Sequence, residues 1–186
     1  MSALRYLSGC LALLCFAVAG ATAELPTGED EAEIFTRGDI EILDPWAASA
    51  IGEAHRAQVF FEFRNHATEA DRLIAAHAAI TTGPAIFRLA TSAGGHTPPS
   101  VIKVIDLPAG GGSFELSRHG YYLELADLTV PLTMGKRFTL DLEFARAGTM
   151  SIEVTSRFHS PKLTRRIREA AARGDTAALK QLREPH

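Results

Sequence analysis

Cysteine is scarce in this chain. The 186 residues include only Cys10 and Cys15, both inside an N-terminal apolar stretch. The rest of the chain therefore has no disulfide and no thiolate ligand, and any metal there must be held by nitrogen, oxygen or thioether sulfur. Long apolar runs are scarce as well. Leu7 to Gly20 is the one such run, and it falls short of the roughly 20 residues a spanning helix needs. With Arg5 before it and Ala21-Thr22-Ala23 after it, it reads as a secretory signal over residues 1–23, cleaved ahead of Glu24. The expected location is periplasmic or secreted. Also missing are a Gly-x-Ser-x-Gly elbow, a His-Glu-x-x-His zinc helix, a phosphate loop and a Gly-x-Gly-x-x-Gly fingerprint, so the expectation is a binding protein and not an enzyme.

An electropositive body is missing too. The whole chain carries −3. Residues 159–186 hold seven Lys or Arg against three acids, a net of +4, which leaves −8 on residues 24–158. An acidic body argues against nucleic-acid binding by the main domain. That body, about 135 residues long, suffices for one domain with one core.

What is present is a succession of short β-rich runs between turn residues, the pattern of an antiparallel sandwich. Residues 24–37 are polar and acidic and read as a flexible leader, with the sandwich expected over 38–158. Ala57 to Phe63 is the clearest strand: Ala57, Val59, Phe61 and Phe63 fall on one face, Gln58 and Glu62 on the other, and Phe60 breaks the alternation. Ile40 to Leu43, Arg72 to Ala79, Ala85 to Ala90, Val101 to Asp106, Ser113 to Leu116 and Tyr121 to Leu125 are further strands. The alanines and leucine of Leu73 to Ile80 are also compatible with a helical turn. Arg137 to Phe144 and Thr149 to Arg157 form a terminal hairpin around Ala147-Gly148. Beyond Phe158 the period changes: Ser160-Pro161 opens a helix that Gly174 ends, and Asp175 or Thr176 caps a second short one. This basic tail, 159–186, is either solvated or a docking segment for a partner or a membrane surface.

Several stretches resemble the PCu(A)C family of periplasmic copper chaperones: Asp44-Pro45-Trp46-Ala47, then Val59-Phe60-Phe61-Glu62-Phe63-Arg64-Asn65, Ala70-Asp71-Arg72-Leu73, Ile105-Asp106-Leu107-Pro108-Ala109-Gly110-Gly111, and the closing hairpin from Gly135 to Gly148. The resemblance implies an all-β, cupredoxin-like Greek-key β-sandwich, here with a short C-terminal helical extension. It also implies copper as the bound metal and a periplasmic cuproprotein or assembly factor as partner. That family grips Cu(I) with a His, a Met and a later His-x-Met, soft donors for a soft ion. Counting from Pro108, those four positions are occupied here by Arg88, Pro99, Tyr122 and Glu124, none of which is a good Cu(I) ligand.

Two arrangements follow from that substitution. In one, Arg88 faces Glu124 with Tyr122 nearby, a charge pair in place of a metal site, and no metal is bound. In the other, His96 and His119 join Glu124 in a nitrogen and oxygen set suited to Cu(II) or Zn(II). His55, His66, His77, His159, Met134 and Met150 are expected to serve solvation or packing. The functional expectation is a copper-chaperone-like protein of periplasmic copper handling or cuproenzyme assembly with a divergent or vacant Cu(I) site. The alternative is a copper-independent interaction module that uses the sandwich and the basic tail.

Overall fold

A computed structural model describes residues 32–48, 55–90 and 98–183. Eleven strands and two helices occur in the order β1 (Ile34–Arg37), β2 (Ile40–Ala48), β3 (Ala57–Asn65), β4 (Asp71–Ala78), β5 (Ile86–Leu89), β6 (Ser100–Ile102), β7 (Ile105–Leu107), β8 (Ser113–Glu115), β9 (Tyr121–Leu125), β10 (Arg137–Phe144), β11 (Gly148–Arg157), α1 (Pro161–Ala172) and α2 (Thr176–Arg183). The sheet follows the path β6-β5-β9-β3-β2-β11-β10-β4-β7, with β1 paired to β2 and β8 to β3. Every pairing is antiparallel except β2 with β11. This is the expected all-β class with a short helical extension, its long sheet curled in a barrel-like way around one core.

Alternation builds that core. Val59, Phe61 and Phe63 of β3, Leu123 and Leu125 of β9, Leu140 and Leu142 of β10, and Ile152 and Val154 of β11 all point inward and are almost wholly buried. Each such side chain withdrawn from water contributes about 1.5–3 kcal/mol. The β10–β11 hairpin turns at Gly148, whose φ of +76° is one that L side chains rarely adopt.

Three features differ from expectation, each for a pairing reason. Order begins before Gly38, inside the stretch expected to be a flexible leader, because Ile34 to Arg37 hydrogen-bond in register with Ile40 to Leu43. The alanine-rich run after Arg72 is a strand and has no helical turn, since β4 is zipped between β10 and β7. Val101 to Asp106 is two strands: the chain bends at Lys103, sending β6 to pair with β5 and β7 to pair with β4.

Two polar side chains hold one end of the sandwich. Asn65, 3% exposed, donates through Nδ2 to the carbonyls of Glu69 and Leu107 and accepts from the Ala67 N–H. Asp71, 5% exposed, accepts from the backbone N–H groups of Arg72, Arg146 and Ala147 at 2.7–2.9 Å. A buried carboxylate is tolerated only with such a set of donors.

The tail is partly docked. Ser160 caps α1 by accepting from the Leu163 N–H at 3.2 Å, Pro161 is in the first turn, and Gly174 follows the helix with a φ of +68°. Asp175 caps α2 through the Ala178 N–H. Arg165 forms a two-pronged pair with Asp44, at 3.2 and 2.6 Å, and Lys162 reaches Glu115 at 3.5 Å. Asp44 itself has a φ of +49°, at the bulge where the register of β2 on β3 shifts.

Candidate functional site

Phe60, out of phase on its strand, marks the site. It points away from the main core, yet is only 2% exposed, because Trp46 from β2 and Tyr122 from β9 pack beside it in a separate small cluster. Ring centroids lie 4.7 Å apart for Trp46–Phe60 and 6.3 Å apart for Phe60–Tyr122. The Arg118 guanidinium stands 5.9 Å from the Trp46 centroid and 5.8 Å from that of Phe60, within cation–π range. Alternation puts these residues on the outer face of the strands whose inner face lines the core.

Beside this cluster is a charged one. Arg88 on β5 pairs in register with Tyr122, and its Nη2 donates to Glu124 Oε1 at 2.9 Å. Its Nη1 reaches the Pro99 carbonyl at 3.4 Å. Arg56 approaches the same Glu124 oxygen at 3.4 Å. The Arg88 and Glu124 side chains are 20% and 14% exposed, sheltered enough that neither charge is easily left alone. Burial raises the pKa of the Tyr122 phenol, and the Glu124 charge raises it further, against opposing contributions from Arg88 and a hydrogen bond with Gln58. The hydroxyl is therefore protonated at any physiological pH and available as a donor.

The four positions singled out by counting from Pro108 therefore gather at one place. Arg88 contacts Glu124 directly, Pro99 through its carbonyl, and Tyr122 across the strand pair. As a donor set for Cu(I) they do not fit: a guanidinium does not coordinate, the proline offers only a backbone oxygen, and the one carboxylate is shared between two arginines. His119 is exposed in the turn before β9 and lines a groove of about 410 Å³ together with Trp46, Arg118 and His159. His96 lies outside the described residues. Among the described residues no group of three or more His, Cys, Asp or Glu is placed to hold a metal ion. His66 bonds Glu41 at 3.1 Å, Met150 is in the core, and Met134 is 64% exposed.

Sequence reading missed Arg56, Gln58 and Arg118. Gln58 had a usable signal, since it pairs with Glu124 once β3 is set against β9. Arg118 had none, because its contact with Trp46 depends on the turn before β9. The Asp44–Arg165 pair joins residues 121 apart in the chain, beyond the reach of any local pattern.

A family model described as "Putative lipoprotein LpqE-like" matches residues 40–156. No curated protein sequence matches the chain. Among solved structures, the copper-bound PCuAC domain from PmoF2 aligns with a TM-score of 0.58 at 24% identity, covering 67% of this chain and 97% of that one. The apo PCuAC domain from PmoF1 aligns with a TM-score of 0.56 at 18% identity, covering 67% and 98%. The Cu(I) form of DR1885 from Deinococcus radiodurans aligns with a TM-score of 0.53 at 17% identity, covering 72% and 86%. At these identities the likeness is one of fold, and it spans nearly the whole of each PCuAC domain.

Proposed function

The chain belongs to the LpqE-like family, and from that premise we propose that it is an exported, copper-chaperone-like protein of periplasmic copper handling or cuproenzyme assembly, whose Cu(I) site is divergent or vacant. Its role is binding and not catalysis. Two lines of support converge: the fold shared with PCuAC domains and the signal-like residues 1–23. The single observation that carries the reading is the Arg88–Glu124 ion pair, located where the family resemblance calls for soft ligands. An ion pair in that place satisfies a sheltered carboxylate and guanidinium without a metal and offers no soft donor for Cu(I).

Titration of the purified protein with Cu(I) against a competing chelator tests this. The expected outcome is no competition at micromolar affinity. Competition there would mean that thioethers and imidazoles still meet in one pocket, and the divergent-site reading would fall. A hard-ligand site is the subject of a second arm: Cu(II) or Zn(II) binding that disappears when His96→Ala and His119→Ala are combined would assign those imidazoles, with Glu124, to it.

The copper-independent alternative, an interaction module, draws support from the tail. Helix α1 is fixed to the sandwich through Arg165 and Lys162, so its remaining basic residues are presented in a set orientation to a partner or a membrane surface. Absence of binding for Cu(I), Cu(II) and Zn(II) alike would leave this reading in place.

A further inference from the structure

Among the described residues, three buried side-chain polar atoms have no hydrogen-bond partner in the protein: Arg88 Nε, Thr155 Oγ1 and Arg157 Nε. Such groups are uncommon, because burying a donor without an acceptor forfeits its hydration. Strand register places all three on one face. Arg88 pairs with Tyr122, Tyr122 packs on Phe60, Phe60 pairs with Trp46, and Trp46 pairs with Thr155. One row thus crosses β5, β9, β3, β2 and β11. Arg157, two residues beyond Thr155, shares its side of β11 and pairs with Ala48, which packs against the aromatic cluster.

Charge on this face opposes that of the body. Arg56, Arg88, Arg118 and Arg157 border the row, although residues 24–158 total −8. Of the carboxylates on the same outward face, Glu124 is paired with Arg88 and Arg56, Glu62 with Arg64 and Glu153 with Arg137, which leaves Arg118 and Arg157 without a carboxylate partner among the described residues. Glu115, on the groove wall, is already paired with Lys162. The groove of about 410 Å³ opens onto the same row, floored by Trp46 and Phe60 and walled by Arg118, Phe158 and Leu163. Phe158 is 54% exposed.

We propose that this face docks an acidic peptide segment of a partner protein, one that carries an aromatic side chain flanked by carboxylates. The ring enters the groove beside Trp46 and Phe158, and the carboxylates take the guanidinium forks of Arg118 and Arg157, with Arg88 at the far end of the row. Electrostatic complementarity selects the acidic segment over a basic one. The recess between the sheet and α1 selects a protruding side chain over a flat headgroup surface. The inference goes beyond copper handling and needs no metal.

Trp46 is the sole tryptophan of the chain, so its fluorescence reports on this face directly. Metal-free full-length protein is titrated with a capped peptide bearing Asp and Glu on both sides of one Phe, and with the same peptide carrying Lys in place of the acids. The acidic peptide is expected to shift Trp46 emission saturably and the Lys peptide to leave it unchanged. Affinity should fall with added salt, and Arg118→Ala and Arg157→Gln should each weaken it about tenfold. Arg118 is in an exposed turn, so its replacement leaves the sandwich folded and keeps the test valid should Arg157→Gln fail to fold. No saturable change, an equal response to the Lys peptide, or undiminished binding in Arg118→Ala would each overturn the proposal. Binding that survives the paired Arg118 and Arg157 variant but disappears in Arg166→Glu with Arg173→Glu would move recognition to α1 and overturn it equally. Because copper is absent throughout, failure here leaves the Cu(I) titration untouched.

Discussion

The same strands present two different faces. Inward, β3 offers Val59, Phe61 and Phe63 and β9 offers Leu123 and Leu125, joined in one apolar cluster. Outward, β3 offers Gln58 and Phe60 and β9 offers Tyr122 and Glu124, each with a named partner on a neighbouring strand. The inner face depends on volume, so residues of similar size can replace one another at modest cost. The outer face depends on identity: a guanidinium meets a carboxylate, and a cation lies over a ring. The inner face can therefore keep a fold through volume alone, while the outer face carries chemistry that depends on particular side chains.

That contrast can be broken by substitution. Phe61→Ala on the inner face should destabilise the protein by about 4 kcal/mol in chemical denaturation, with no selective effect on Trp46 emission. Asp71→Ala, which strands three backbone N–H groups at the hairpin end, should cost about 3 kcal/mol. Glu124→Ala on the outer face should cost less, about 2 kcal/mol, because Arg88 retains the Pro99 carbonyl and some solvent; a loss equal to that of Phe61→Ala would mean that the two faces do not differ as described. Arg165→Ala should cost about 1 kcal/mol and speed proteolysis within α1, while an unchanged cleavage rate would show that the helix is held by other contacts.

The smallest effect is one of pH. Burial alone would raise the pKa of Glu62, but hydrogen bonds from Ser113 at 2.5 Å and Arg64 at 3.1 Å outweigh it and lower the value. A carboxylate depressed in the folded state contributes stability that is present above its unfolded pKa, about 4.3, and is lost as pH falls through the lower folded value. Glu62→Gln should flatten the acid limb of a stability profile in that window, and a limb of unchanged slope would assign it to other carboxylates.

Much of this was legible in the sequence where local rules govern. Period-two alternation located β3, β10 and β11, and Ser160-Pro161 and Gly174 bounded α1, because strand facing and helix capping are decided within a few residues. Phe60 was visible as a break in alternation, although its reason, the packing against Trp46 and Tyr122, required three strands to be assembled. Arg88, Tyr122 and Glu124 were legible only through spacing from Pro108, which presupposed the fold. β1 was illegible because Ile34 to Arg37 is only four residues long, directly follows an acidic stretch, and gains its order from the pairing with β2. The Asp44–Arg165 contact was illegible for a different cause: nothing in a linear pattern announces which acid a distant helix will meet.

Asp44 has one more effect. Up to Leu43, β2 is bordered by β1; from Trp46 onward it is bordered by β11 in the parallel sense. The left-handed residue between them is where one neighbour gives way to the other. An insertion in the Gly38-Asp39 turn would slide only β1, whereas a single-residue deletion between Asp44 and Ala48 would rotate Trp46 into the apolar interior and bring Ala47 out. Length changes are therefore absorbed in the turn ahead of β2, and within the strand they disturb its register on β3 on both sides of the aspartate.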